Sequence, residues 1–186
     1  MRIISGVWGG RRIQPPTHMP NTRPTTDIAK EGLFNILQNR MNFEGINTLD
    51  LFGGTGCISY ELGSRGAAEL TIVEKDPIMY QFIKNNCDML CMANYHLLKM
   101  DVFAYLNTAK PSFDFIFAGP PYALGAIDEI PKIIERQGLI AKGGFFVLEH
   151  TPRNQYQKMA SFDFQRNYGT TVFSFFVNRE IVGEQS

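Results

Sequence analysis

Leu49-Asp50-Leu51-Phe52-Gly53-Gly54-Thr55-Gly56 sets a carboxylate just ahead of a cluster of glycines. Glycines let a backbone turn tightly and let a ligand approach it closely. If a helix opens there, its free N–H groups suit a carboxylate or a phosphate. Gly54-x-Gly56-x-x-Ser59 comes close to a dinucleotide fingerprint, which is one reading. Asp50 argues for another. Its charge at the mouth of the loop would repel a pyrophosphate, yet would attract the ammonium and sulfonium end of S-adenosylmethionine (SAM). Glu74 follows 18 residues beyond Gly56, where an acid commonly accepts hydrogen bonds from ribose hydroxyls. Asp101-Val102 adds a carboxylate that would accept an adenine amino group or else cap a helix beginning at Val102. The same carboxylate is not expected to do both.

Ala118-Gly119-Pro120-Pro121-Tyr122 forms a second cluster. Two prolines after a strand make a stiff extended corner, and Tyr122 offers an aromatic face beside the cofactor. Tandem prolines followed by an aromatic residue resemble the signature of methyltransferases acting on exocyclic or planar nitrogens. In that signature the ring stacks on the target base and the corner's carbonyls hold its N–H groups. Glu149-His150 supplies a further acid and a base suited to neutral pH. The favoured expectation for that pair is a structural hydrogen-bonding role at the sheet edge.

These clusters need elements to hold them. From residue 46 the pattern predicts alternating strands and helices: strand Ile46–Leu51, helix Gly56–Ser64, strand Leu70–Glu74, helix Ile78–Met89, strand Tyr95–Met100, strand Phe113–Phe117, a helix around Ile127–Gln137, and strand Gly144–Glu149. Strands near Phe162–Tyr168 and Thr171–Asn178 close the chain around a turn at Gly169. Such alternation implies an α/β fold with a mostly parallel sheet and helices on both faces. The closing hairpin must add an antiparallel strand, because so short a turn cannot cross over. Ligands of such sheets sit beyond the carboxyl ends of the strands, near the switch in strand order. Every cluster above falls at such an end.

The first 25 residues differ. Arg2–Ser5 and Arg11–Gln14 flank Gly6, Gly9 and Gly10 and read as a short hairpin, after which Pro15, Pro16, Pro20 and Pro24 forbid regular structure. Thr25-Thr26-Asp27 offers caps for a helix of about Ile28–Gln38. The expected organisation is a single domain over 1–186, with an arm at 1–25 and a cofactor-binding core at 26–186. Net charge is zero, yet residues 1–30 carry Arg2, Arg11, Arg12, Arg23 and Lys30 against Asp27 alone, a local +4. That asymmetry suits contact with phosphates, with Arg11, Arg12 and Arg23 as the expected RNA-binding residues. The three cysteines, Cys57, Cys87 and Cys91, are an odd number that argues against a disulfide framework, and no partner His or Cys completes a zinc site. No apolar run reaches the roughly 18 residues of a membrane span. A cytoplasmic monomer without metal is expected.

The whole chain resembles the RsmD family, bacterial enzymes that methylate guanine N2 in small-subunit ribosomal RNA. The pieces that carry the resemblance are Arg2-Ile3-Ile4-Ser5-Gly6, Arg23-Pro24-Thr25-Thr26-Asp27, Leu33-Phe34-Asn35-Ile36-Leu37, the Leu49–Gly56 loop, Ser64-Arg65-Gly66-Ala67, Val73-Glu74-Lys75 and Glu149-His150. The resemblance implies the Rossmann-like class I SAM-dependent methyltransferase fold with a seven-stranded sheet. It also implies SAM as cofactor and ribosomal RNA, or the assembling small subunit, as partner. Asp50, Phe52, Gly53, Gly54, Gly56, Glu74, Lys75, Asp101 and Val102 would hold SAM. The Gly119-Pro120-Pro121-Tyr122 corner would receive a flipped-out base.

One position departs from the family. Its corner begins with aspartate, and this chain has Gly119. The family's carboxylate accepts an N–H from the base and helps localise the amino lone pair. Removing one such acceptor typically costs about 10²–10³ in rate, and Gly119→Asp is expected to recover roughly tenfold to a thousandfold. Glu149 is the acid best placed to compensate. Asp114, five residues upstream on the same strand, would lie too far away. The alternatives are a weakly active or inactive SAM- and RNA-binding homologue, or a methyltransferase for another nitrogen such as adenine N6 or a protein glutamine. The family's usual alanine is also replaced, by Gly53, a change expected to be sterically mild.

Overall fold

The computed structural model describes residues 1–17, 19, 25–110 and 112–179. Chain order runs α1 (Asp27–Leu37), β1 (Asn47–Leu51), α2 (Cys57–Ser64), β2 (Glu69–Val73), α3 (Pro77–Met89), β3 (Tyr95–Leu98), α4 (Val102–Thr108), β4 (Phe113–Ala118), α5 (Glu129–Arg136), β5 (Ile140–His150), β6 (Phe162–Tyr168) and β7 (Thr171–Val177). The strands form a seven-stranded sheet in the order β3-β2-β1-β4-β5-β7-β6. The ladders from β3 through β5 are parallel, and β7 pairs antiparallel with both β5 and β6. The order reverses between β1 and β4, so the crevice for a ligand opens there.

Alternation along the strands sorts side chains onto two faces. Phe115 and Phe117 of β4, Phe145 and Val147 of β5, and Phe173 and Phe175 of β7 pack with α1, α2 and α3. Ile116 and Ala118, Phe146 and Leu148, and Phe176 pack with α4 and α5 on the other face. By the same alternation Glu149 joins the α1–α3 face and His150 the α4–α5 face. The central strands are apolar on both faces, as helix-covered parallel sheets require.

The expected bounds shift by a few residues at most. β5 is the largest change: it begins at Ile140, four residues before the expected start, and reaches His150. Its extension pairs Ile140 with Phe113, and the register then shifts so that Phe115 meets Phe145, the extra residues of β5 including Gly143 and Gly144.

Residues 1–13 form the expected hairpin by hydrogen bonds rather than as long strands. Ile3 and Ile13 N–H groups donate to Arg11 and Met1 carbonyls, and Arg2 bridges Arg12. Its turn is fastened to α2. The Ile4 and Ser5 N–H groups donate to the fully buried Glu61 carboxylate at 2.7 and 3.0 Å, and Trp8 N–H donates to Ser64 Oγ.

Candidate active site

Two loops leave the sheet at its switch point. After β1 the chain turns through Phe52–Gly56 into α2, and after β4 it enters the Gly119–Tyr122 corner. The Gly53 N–H donates to Val73 carbonyl and the Gly119 N–H to Leu51 carbonyl, so both loops start as continuations of the ladder. Between them lies a cavity of about 600 Å³, lined by both loops together with the ends of β2 and β5 and by Thr25. That volume falls within the roughly 300–1,000 Å³ of small-molecule sites.

The glycine loop is shaped by sterics. Gly56 caps α2 with φ +75°, and a Cβ there would stand 2.5 Å from the Tyr60 ring. Phe52 also has positive φ, +67°, a conformation that costs a non-glycine residue roughly 1–3 kcal/mol and that clusters at binding sites. Gly53 is different. A Cβ there would come within 2.8 Å of Ile72 Cγ2 and Ile83 Cδ1. An alanine here would need these two terminal methyl groups to shift.

Of the three buried carboxylates that line the cavity, two, Asp50 and Glu74, flank the glycine loop and the third is Glu149. Asp50 Oδ2 accepts from Ser59 Oγ at 2.6 Å. Burial pushes the Asp50 carboxyl up to about 7, opposed by the Ser59 hydrogen bond and reinforced by the Glu74 charge. Glu74 has both oxygens engaged by backbone: Gly54 N–H donates to Oε2 and Asp76 N–H to Oε1, each at 2.8 Å. It thus ties the glycine loop to the β2–α3 turn. Carboxylates accept about four hydrogen bonds, so this use is compatible with ligand hydroxyls. Two acids in one cavity, beside a helix start, suit a ligand with a cationic end and hydroxyl groups. The residues present fit SAM.

The remaining cofactor residues divide. Phe52, Gly53, Gly54, Lys75 and Val102 line the cavity with Asp50 and Glu74, while Gly56 and Asp101 do not. Asp101 caps α4, its Oδ1 accepting from Phe103 and Ala104 N–H groups, and its Oδ2 lies 3.8 Å from Lys75 Nζ. Of the two expected roles, the helix cap is the one the structure shows.

At the corner, Gly119, Pro120, Pro121 and Tyr122 line the cavity with Glu149. Glu149 is only 5% exposed. Thr25 Oγ1 donates to its Oε2 at 2.6 Å and Tyr122 Oη to its Oε1 at 3.0 Å. Tyr122 Oη also meets Thr171 Oγ1 at 3.1 Å. The expected structural pair is split: His150 points to the other face, bonded to the Thr151 carbonyl and Ser174 Oγ, its pKa lowered chiefly by burial. Asp114 accepts from Asn47 N–H at the far end of β1, well away from the corner. Thr25, Ser59 and Thr171 went unnamed in the sequence as site residues. Thr25 reads there as a capping residue, although the cap itself is Thr26, and no local signal links it to a residue 124 positions away.

Of the expected RNA-binding residues, Arg11 and Arg12 are exposed and Arg23 lies outside the described residues. The +4 of residues 1–30 overstates the surface charge. Lys30 is buried, donating to the Arg2 carbonyl near Glu61, and Arg2 pairs with Glu31. Among the described residues, no His, Cys, Asp and Glu cluster could hold a metal and no helix is long and apolar enough to cross a membrane.

The family described as conserved hypothetical protein 95 matches residues 1–177. Ribosomal RNA small subunit methyltransferase D of Escherichia coli K12 is 30% identical over 154 residues, 83% of this chain and 76% of that protein. A hypothetical protein of Thermus thermophilus superposes with a TM-score of 0.83 at 26% identity, covering 95% of this chain and 99% of that one. A Thermus thermophilus 16S rRNA N2 methyltransferase, solved with AdoMet and guanosine, shares the fold at 24% identity and a TM-score of 0.66, over 83% of this chain and 44% of that one. The three carboxylates, the glycine loop and the proline corner of this cavity thus sit in a chain that belongs to the RsmD family of ribosomal RNA methyltransferases.

Proposed function

We propose that this chain transfers a methyl group from SAM to the N2 amino group of a guanine in small-subunit ribosomal RNA. It is a SAM-dependent methyltransferase of the RsmD family. The observation that carries the finer reading is the shared cavity: the cofactor loop and the proline corner open into one space, with a buried carboxylate at each end. When bound, SAM supplies an electrophilic methyl on a sulfonium and leaves as a neutral thioether. Asp50 and Glu74, which line the cavity with Val102, would hold its cationic and ribose parts, and Val102 would offer an apolar surface to the adenine. The corner carbonyls and Tyr122 would position the base and present its amino nitrogen to the cofactor. A base must leave its stack to enter so enclosed a site.

RNA reaches the cavity along the arm. The open end of the hairpin, with Met1, Arg2 and Arg12, meets Asp27, two residues from Thr25, around a small cavity of about 300 Å³. Exposed Arg11 and Arg12 would take phosphates there. The core at 26–186 and the arm at 1–25 act as one unit in this reading.

Calorimetry tests the cofactor half. SAM and its demethylated product should bind stoichiometrically, while nicotinamide dinucleotides should not. Glu74→Ala should weaken SAM binding by about 1.5–3 kcal/mol, the worth of a charged hydrogen bond. Dinucleotide binding in place of SAM would contradict the proposal.

A further inference from the structure

We infer that Glu149 takes the place of the missing corner aspartate and is the residue that selects guanine, by accepting N–H bonds from the base's N1 and N2 edge. The inference rests on the reading of the corner as the base site.

The geometry comes first. A Cβ built at Gly119 would lie 3.9 Å from Glu149 Oε2. A side chain at 119 would therefore project toward the space where a carboxylate already stands. That carboxylate arrives from β5 instead of from the corner. Its strand is the parallel neighbour of β4, with Ala118 opposite Leu148, so the residue after Leu148 sits beside the corner's first residue. Thr25 and Tyr122 each donate to one oxygen, which fixes the plane of the group. The carboxylate so held lines the same cavity as the corner itself.

The chemistry then selects the base. An ionised carboxylate only accepts. Guanine presents two adjacent donors on its Watson–Crick edge, N1–H and the N2 amino group. Adenine and cytosine place an acceptor beside their amino group, and that acceptor would face the carboxylate's negative charge. A site built to hydrogen-bond one pattern rejects a ligand lacking it strongly. Glu149 accepts one N2–H, which helps localise the amino lone pair. It takes that proton once the N2–methyl bond has formed and the cofactor's sulfur has kept the pair of the broken C–S bond, and the proton passes on to water.

A carboxylate already in place alters the expectation for Gly119→Asp. The backbone at Gly119 is outside the left-handed region, so aspartate is conformationally allowed. Its Cβ would press on Phe117 Cε1 at 3.1 Å, a contact that requires a small shift. More important, its carboxylate would crowd Glu149, and two such acids cannot both stay ionised. In the wild-type background the substitution should therefore give little gain.

Single-turnover methylation of unmodified small ribosomal subunits with labelled SAM, followed by nucleoside analysis, tests the inference. Glu149→Gln keeps the shape but puts a donor on the guanine edge. It should slow N2-methylguanosine formation by about 10²–10³-fold, with SAM affinity by calorimetry unchanged. Adding Gly119→Asp to Glu149→Gln should recover at least about tenfold, because it returns a carboxylate to the same space. Wild-type turnover in Glu149→Gln would overturn the inference. So would a loss shared by methylation and SAM affinity with no recovery in the double variant, which would make Glu149 a structural residue. A wild-type protein that binds SAM but yields no methylguanosine would overturn the functional reading itself, and this inference with it.

Discussion

On the proposed role of Asp50, SAM binding should depend on pH. Its folded pKa is about 7 against an ordinary 3.8. Between about pH 4 and 7 the folded protein thus holds a proton that the unfolded chain has released, and this group's contribution to stability falls as pH rises through that window. A cationic ligand favours the ionised form, so binding expels the proton. Affinity for SAM should rise up to tenfold per pH unit below about 7 and level off above it. Calorimetry in buffers of different ionisation enthalpy should detect the released proton, and Asp50→Asn should flatten the profile. A flat profile in the wild-type protein would contradict this account of Asp50. Thr25 belongs at the same scale. Thr25→Val keeps volume but removes the hydroxyl on Glu149, and should lower kcat for methylation several-fold while sparing the KM for SAM. Thr25→Ser should restore it, an outcome that a packing role for the threonine methyl would not give. At this scale the sequence was partly legible. Asp50, Glu74 and Glu149 stand out because each lies at a strand end on the side where ligands of such sheets sit. Thr25 could not, because its partner lies 124 residues away and only the tertiary fold joins them.

The elements were read mainly from periodicity. Apolar strands between amphipathic helices give their own pattern, and the turn at Gly169 forces β7 to run antiparallel. What periodicity could not give is how the arm attaches. Glu61 looks like an ordinary helix-surface acid in sequence. It is fully buried and accepts from Ile4, Ser5 and Arg65, with Lys30 at 3.9 Å. Glu61→Ala would leave Lys30 buried without its charge partner and free two hairpin N–H groups. It should destabilise the protein by about 3–5 kcal/mol, read as a lower denaturation midpoint and faster proteolysis near residue 10. The same network explains why the charge of residues 1–30 misled: Lys30 faces inward to hold the hairpin. In the proposed reading Arg11 and Arg12, both exposed, would carry the RNA-facing charge. Each alanine substitution there should flatten the log–log salt dependence of RNA binding by about 0.7–0.9. Unchanged salt slopes would leave the arm a structural element only.

For the whole molecule, the fold supplies two strand ends at one switch point, a cofactor loop on β1 and a base corner on β4, with β5 delivering a carboxylate beside the corner. On the proposal that Glu149 is the acceptor, the absence of aspartate at 119 would be compatible with catalysis. The most direct test is to incubate the wild-type protein with methyl-labelled SAM and unmodified small ribosomal subunits, digest the RNA, and identify the labelled nucleoside. The account predicts N2-methylguanosine formed in proportion to enzyme. Label in N6-methyladenosine, label in protein, or no transfer despite SAM binding would contradict it.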